Sequence, residues 1–158
     1  MHMHYYALMT IQIDPRNCYC SELRKAARRV TLLYDRALSE AGLTIGQFTI
    51  LAEISRATDS EDLTISALAA TLAMDRSGFR HTLAPLIRDD LVIVTVGRSD
   101  ARSRVLKLTR RGQAALASAF GAWELAQRSL ESQVGLSEAV AIRSLLSLTD
   151  RLESAETI

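Results

Sequence analysis

Residues 64–112 read TISALAATLAMDRSGFRHTLAPLIRDDLVIVTVGRSDARSRVLKLTRRG, and this stretch decides the fold. Thr64 can cap a short helix running to about residue 73 and burying Leu68, Ala69 and Leu72. Met74-Asp75 is a tight junction, and Asp75 can cap a second helix over about 76–90. Along that helix Phe79, Leu83, Leu86 and Ile87 share one stripe, whereas Ser77, Arg80, His81, Ala84 and Arg88 point the other way. Pro85 removes one hydrogen bond and bends the axis, but the stripe continues beyond it, so the helix is kept. Two β-favouring runs, 92–96 and 104–108, follow, joined by the polar tip Gly97-Arg98-Ser99-Asp100-Ala101-Arg102-Ser103. A short helix, a tight turn, a helix with a polar outer face and a basic hairpin together make a winged helix-turn-helix.

Charge is distributed to match. The 158 residues carry a net charge of only +1, yet residues 76–112 hold nine basic and three acidic side chains. Residues 1–38 hold six and three, residues 39–75 one and six, and residues 113–158 three and six. A near-neutral chain with one strongly basic third has the electrostatic footprint of a polyanion-binding surface. A helix fits the major groove of a DNA duplex, where outward hydrogen-bonding side chains read base edges. Ser77, Arg80 and His81 are of that kind, and the planar fork of Arg80 matches the two acceptors of guanine. Arg76 and Arg88 suit phosphate contacts, which fix register without reading sequence. Arg98 and Arg102 at the hairpin tip, with Arg104 beside it, suit a narrow minor groove, and Asp100 is assigned to bracing a neighbouring arginine.

Working outward, residues 21–38 place Leu23, Ala26, Ala27, Val30, Leu33, Tyr34 and Ala37 on a helical stripe, ended by Gly42. Thr44 and Gln47 form a capping box for a helix to about residue 57, with Phe48, Leu51, Ala52 and Ile54 buried. Thr109 caps a long Ala-rich helix to about residue 133, carrying Leu116, Phe120, Trp123 and Leu130. A last helix to about residue 152 aligns Ile142, Leu145, Leu148 and Leu152. The expected class is mainly α with a small β-hairpin wing. The divisions are a 1–17 extension, a dimerisation helix in 18–42, the winged lobe 43–112 and C-terminal dimerisation helices in 113–158. Striped helices beyond the 70 or so residues of a winged helix require another apolar surface, which a second copy supplies. Completion of a monomeric core is the alternative.

At this point the chain resembles the MarR-type regulators, named for multiple antibiotic resistance. The resemblance rests on Leu43-Thr44, Leu68-Ala69, Asp75-Arg76-Ser77, Leu91-Val92, Asp100 to Arg102, Leu108-Thr109 and Gly112, and covers roughly residues 18–152. It implies that residues 75–88 form the recognition helix, that Arg102 is the wing-tip arginine, and that the chain forms an interlocked homodimer. Two recognition helices would then lie about one DNA turn, ~34 Å, apart on a palindromic operator. The family's common glycine before the wing is here Asp90, and one common wing arginine is Ala101.

The resemblance also implies an effector. A small aromatic or phenolic molecule between the DNA-binding lobe and the dimer helices would find Tyr34, Phe48 and Trp123 as wall residues, with plain core packing as the alternative role of each. The second mode is oxidant sensing: Cys18 and Cys20 flank Tyr19 at the start of the first helix, beside Arg16, Arg24 and Lys25, where thiols react with oxidants. Alignment with the hydroperoxide-sensing branch puts Cys20 on its reactive cysteine and Tyr34 on one of two partner tyrosines. The second tyrosine position is Ile45, which leaves that site incomplete.

The remaining classes are disfavoured. Two close cysteines make no disulfide framework and fit a reducing cytoplasm, and Cys18-Tyr19-Cys20 with His2 or His4 lacks metal-ligand spacing. The chain lacks a nucleotide-binding glycine fingerprint and a nucleophile elbow. The only histidine outside its first four residues, His81, falls on the groove-facing helix, so that a Cys–His pair would have to bridge two distant elements; no enzyme and no cofactor are expected. No apolar run is long enough for a membrane span, and the first residues do not read as a signal peptide, although Met9 is an alternative start. A winged helix serving only protein contacts would not need nine basic residues in 76–112.

Overall fold

In the computed structural model the described residues are 16, 18–57, 63–97 and 100–153, the last eight in backbone only. Expectations for residues 1–8, for His2 and His4 and for Arg98 lie outside them. The order is α1 (Tyr19–Leu38), a 3-10 turn (Ser39–Ala41), α2 (Ile45–Arg56), α3 (Ile65–Thr71), α4 (Arg76–Arg88), β1 (Val92–Val96), β2 (Arg104–Leu108), α5 (Arg110–Val134) and α6 (Leu136–Glu153). The chain is mainly helical, with a two-stranded antiparallel hairpin in the register Val92↔Leu108 to Val96↔Arg104.

Side-chain caps fix the helix starts. Thr44 and Gln47 form the reciprocal box at α2. Thr64 accepts from the amide of Ala67, Asp75 from those of Ser77 and Gly78, and Thr109 from that of Gly112. Chain reversals close the helix ends in one recurring way. Leu43 N–H donates to the Leu38 carbonyl, Met74 to Ala69 and Leu91 to Leu86, each spanning five residues around a left-handed residue. Those residues are Gly42 at φ 70°, Ala73 at φ 49° and Asp90 at φ 56°. Glycine takes this conformation freely, whereas Ala73 pays for its Cβ. Ala73→Gly is therefore expected to raise stability by about 0.5–1 kcal/mol, read as a gain of roughly 2 °C in thermal denaturation. Unchanged or lower stability would show that the turn carries no strain.

The core joins the winged lobe to the long helices. Leu38, Ile50, Leu51, Leu68 and Ala119 are fully enclosed, with Phe79, Leu86, Val92 and Leu106 nearly so. Beyond the hairpin, Leu106 N–H donates to the Leu63 carbonyl at 3.0 Å and Thr64 bridges Val105, so the segment before α3 lines the outer edge of β2. Ile87 departs from the expected stripe and is 40% exposed. It falls in the last turn of α4, one residue past enclosed Leu86, and a step of about 100° turns it out of the core. Apolar positions on α1, α5 and α6 are also uncovered: Leu23, Leu32, Phe120, Leu125, Leu136, Val140, Ile142 and Leu145 are all exposed.

Candidate nucleic-acid interface

The α3–turn–α4 unit presents one polar face. Arg76, Ser77, Arg80, His81, Ala84 and Arg88 are all exposed, opposite the buried Phe79, Leu83 and Leu86. Arg76 and Arg80, one helical turn apart, together line a cleft of about 360 Å³ with Ser66, Ala69, Met74 and Phe79, so both lie on the side of α4 that faces α3. Neither guanidinium has a hydrogen bond or ion pair among the described residues. Asp75, which precedes Arg76, engages its Oδ1 with the amides of Ser77 and Gly78, both at 2.9 Å. The expected Asp75 cap thus also keeps that carboxylate engaged with main chain.

Arg88 differs. Its Nε and Nη2 pair with Asp89 at 2.9 and 3.3 Å, and the pair holds the Asp89 carboxyl below its ordinary range while raising Arg88. An arginine so paired offers less net charge than Arg80.

At the wing, Asp100 Oδ1 accepts from the Arg102 main-chain N–H at 2.9 Å, and its carbonyl accepts from the amide and hydroxyl of Ser103. The carboxylate therefore shapes the turn from which Arg102 projects, acting on its backbone. The Arg102 side chain is exposed and unpaired among the described residues. Arg104 is also exposed, and its Nη1 lies 3.4 Å from the carbonyls of Ala101 and Ser103. The base of the wing is fixed to α5: Thr109 Oγ1 donates to Asp90 O at 2.7 Å, and Thr109 N–H donates to Leu91 O at 3.1 Å.

The proposed sensing residues separate into two places. Cys18 and Cys20 are free thiols, exposed at the start of α1, where Cys18 makes no side-chain cap. Tyr34 is buried near the other end of α1 and its hydroxyl donates to Gln127 Oε1 of α5. Burial pushes its phenol upward, opposed by nearby Arg143 and reinforced by Glu131, which pair with each other at 2.6 Å. Phe48 is a core residue stacked on Trp123 with ring centres 5.7 Å apart, and the ring of Phe120 lies at the same distance from Trp123, tilted by 33°. Among the described residues no three His, Cys, Asp or Glu side chains cluster to hold a metal, and no helix is long and apolar enough to cross a membrane.

No family model matches the chain. It is similar to the M. tuberculosis transcriptional regulator MosR at 35% identity, over 90% of this chain and 100% of that one, with a TM-score of 0.76. A second structure of MosR, in complex with DNA, matches at 36% identity over 89% and 99% of the two chains, with a TM-score of 0.75. The chain belongs to the MarR family of winged helix transcription regulators. A MarR family regulator from Rhodococcus sp. RHA1 agrees in fold at 20% identity, over 80% and 89% of the chains, with a TM-score of 0.67. The transcriptional activatory protein BadR of Rhodopseudomonas palustris is 31% identical over 78 residues, 49% of this chain. That match spans 45% of BadR's own length. This membership is in a family of regulators and not of enzymes. In this MarR-type chain the glycine expected before the wing is replaced by Asp90, which still adopts the left-handed conformation at φ 56°. Short polar aspartate is one of the few side chains to tolerate it.

Proposed function

We propose that the chain is a homodimeric repressor that grips a palindromic operator and releases it when a small aromatic or phenolic effector binds. The observation that carries this reading is the set of exposed, unpaired arginines on α4 and the wing, in a chain similar over nine-tenths of its length to a regulator with a DNA-bound structure. In it Arg80, Ser77 and His81 face base edges, Arg76 and Arg88 touch phosphates, and Arg98, Arg102 and Arg104 follow the backbone and minor groove. Asp100 holds Arg102 in position for that role. The uncovered apolar positions of α1, α5 and α6 support pairing of two copies, because a monomer rarely leaves such faces in water. The basic excess of residues 1–38 and the acidic excess of residues 113–158 favour the same contact.

The effector part of the reading is supported by the aromatic group of Phe48, Phe120 and Trp123 where α2 meets α5. CouR from Rhodococcus jostii RHA1, of like fold at 18% identity, is bound to p-coumaroyl-CoA. A panel of phenolic acids titrated into a protein–operator mixture tests it: at least one should lower the anisotropy of the labelled duplex to its free value. Retention of the duplex across the whole panel would remove the phenolic effector from the account.

A second reading, thiol sensing, is favoured by the exposure of both Cys18 and Cys20 at the helix start. It predicts that cumene hydroperoxide releases the operator from the native chain and fails to do so with Cys20→Ser. Equal release from that variant would clear Cys20 of the role. Tyr34 is already hydrogen-bonded within its own chain, so under this reading it would have to leave Gln127 to reach a partner's thiol.

A further inference from the structure

We propose that Asp35 is a positioning residue that sets the half-site spacing the dimer accepts, an inference that rests on the operator-binding reading above. Asp35 stands on α1, half-buried, and its Oδ1 accepts from the main-chain N–H of Ile45, the first residue of α2, at 2.7 Å. Local capping does not require it. Thr44 and Gln47 already close the reciprocal box, with Gln47 N–H on Thr44 Oγ1 at 3.3 Å and Thr44 N–H on Gln47 Oε1 at 3.0 Å. The carboxylate instead takes one further orphan donor of α2 from a separate helix, ten residues back, and so fastens two elements together.

What it fastens is the link between the long helices and the reading helix. The preceding residue, Tyr34, bonds Gln127 of α5, so adjacent residues of α1 tie that helix to two different elements. On the far side of the joint, Gly46 abuts α4 so closely that a Cβ built on it would lie 3.3 Å from Thr82 Cγ2. Thr82 is next to His81 and in turn bonds the Gly78 carbonyl at 3.0 Å. A displacement of the first turn of α2 therefore pushes directly on the recognition helix, because close-packed contacts transmit movement. Between α1 and α2 the main chain passes through the 3-10 turn, left-handed Gly42, whose Cβ position is open, and Leu43, which is buried in the core. The Asp35 bond braces that joint with a directional polar contact beside the apolar one.

In a two-fold dimer the angle of each lobe to the pairing helices sets the distance between recognition helices. One added base pair moves a half-site by about 3.4 Å and rotates it by roughly a tenth of a turn, so a rigid joint enforces one spacing and a loose one accepts several. The test uses duplexes carrying the half-sites selected by the native protein, with the centre-to-centre spacing changed by one and two base pairs. A single half-site serves as control, and binding is read by anisotropy. The native chain should prefer one spacing over its neighbours by roughly tenfold or more. Asp35→Ala should compress that ratio to roughly twofold while single half-site binding stays within about twofold of native. Asp35→Asn, which keeps an acceptor oxygen, should restore the preference. Asp35→Glu, which keeps the carboxylate on a longer arm, should shift or broaden it even if the alanine variant folds poorly. A native-like spacing ratio in both Asp35→Ala and Asp35→Glu, or in Asp35→Glu when only that variant folds, overturns the proposal, as does an equal loss on every duplex. Failure of the native chain to bind any duplex would instead overturn the operator-binding reading on which it rests.

Discussion

Replacing Gly112 with alanine is expected to cost about 3–5 kcal/mol and lower the melting temperature by roughly 10 °C. A Cβ at this position would lie 2.0 Å from the Leu91 carbonyl oxygen and 2.9 Å from its carbon. The atoms it meets are main chain, so no rotamer change relieves the clash. The two backbones are also held where they are: Thr109 donates to both Asp90 and Leu91, and the Gly112 amide donates to Thr109 Oγ1 at 2.9 Å. Any retreat of α5 from Leu91 breaks these bonds and frees the base of the wing. Gly121→Ala on the same helix is the internal control, because nothing lies within 4 Å of its Cβ position. That variant should gain about 0.5–1 kcal/mol from helix propensity alone. Calorimetry of the two side by side decides the matter. A loss below about 2 °C for Gly112→Ala would mean that the wing's base yields without cost, against the argument.

Arg80→Ala is expected to weaken operator binding by about 1–3 kcal/mol, roughly 5- to 150-fold, and to relax preference at one base pair in each half-site. Arg80 is exposed on α4, has no partner among the described residues to lose, and buries no core surface, so the folded state should be indifferent to its removal. Arg88→Ala supplies the contrast. Its guanidinium is already paired with Asp89, and its assigned contact is to phosphate, so it should weaken selected and random duplexes alike and by less. Gel-shift titrations on both kinds of duplex separate the two. Equal losses on selected and random DNA for Arg80→Ala would take base reading away from this residue.

Much of the fold was legible in the sequence because its boundary signals are local. Thr44, Thr64, Asp75 and Thr109 each cap with an oxygen that reaches an amide two or three residues ahead, so spacing alone announces them. Both strands fall where the β-favouring runs place them. Periodicity was a weaker guide. It put Leu23, Phe120, Ile142 and Leu145 on apolar stripes without saying what covers them, and they are exposed in the single chain. The left-handed turns at Ala73 and Asp90 carry no glycine to mark them, so only the geometry reveals that three helix ends close alike. Least legible were the joints between elements. Asp35 on Ile45, Tyr34 on Gln127 and Gly112 against Leu91 join residues whose separation in sequence, ten positions or more, bears no pattern. The candidate interface was readable for the opposite reason: a face that meets solvent needs no partner within the chain, and its basic side chains stand out from the composition.

Selection of binding sites from a randomised duplex pool by the native chain tests the central claim most directly. The account predicts enrichment of an inverted repeat whose half-site centres lie about 10 base pairs apart, held by two chains per duplex. Recovery of a single asymmetric motif, or no enrichment over the starting pool, would contradict it.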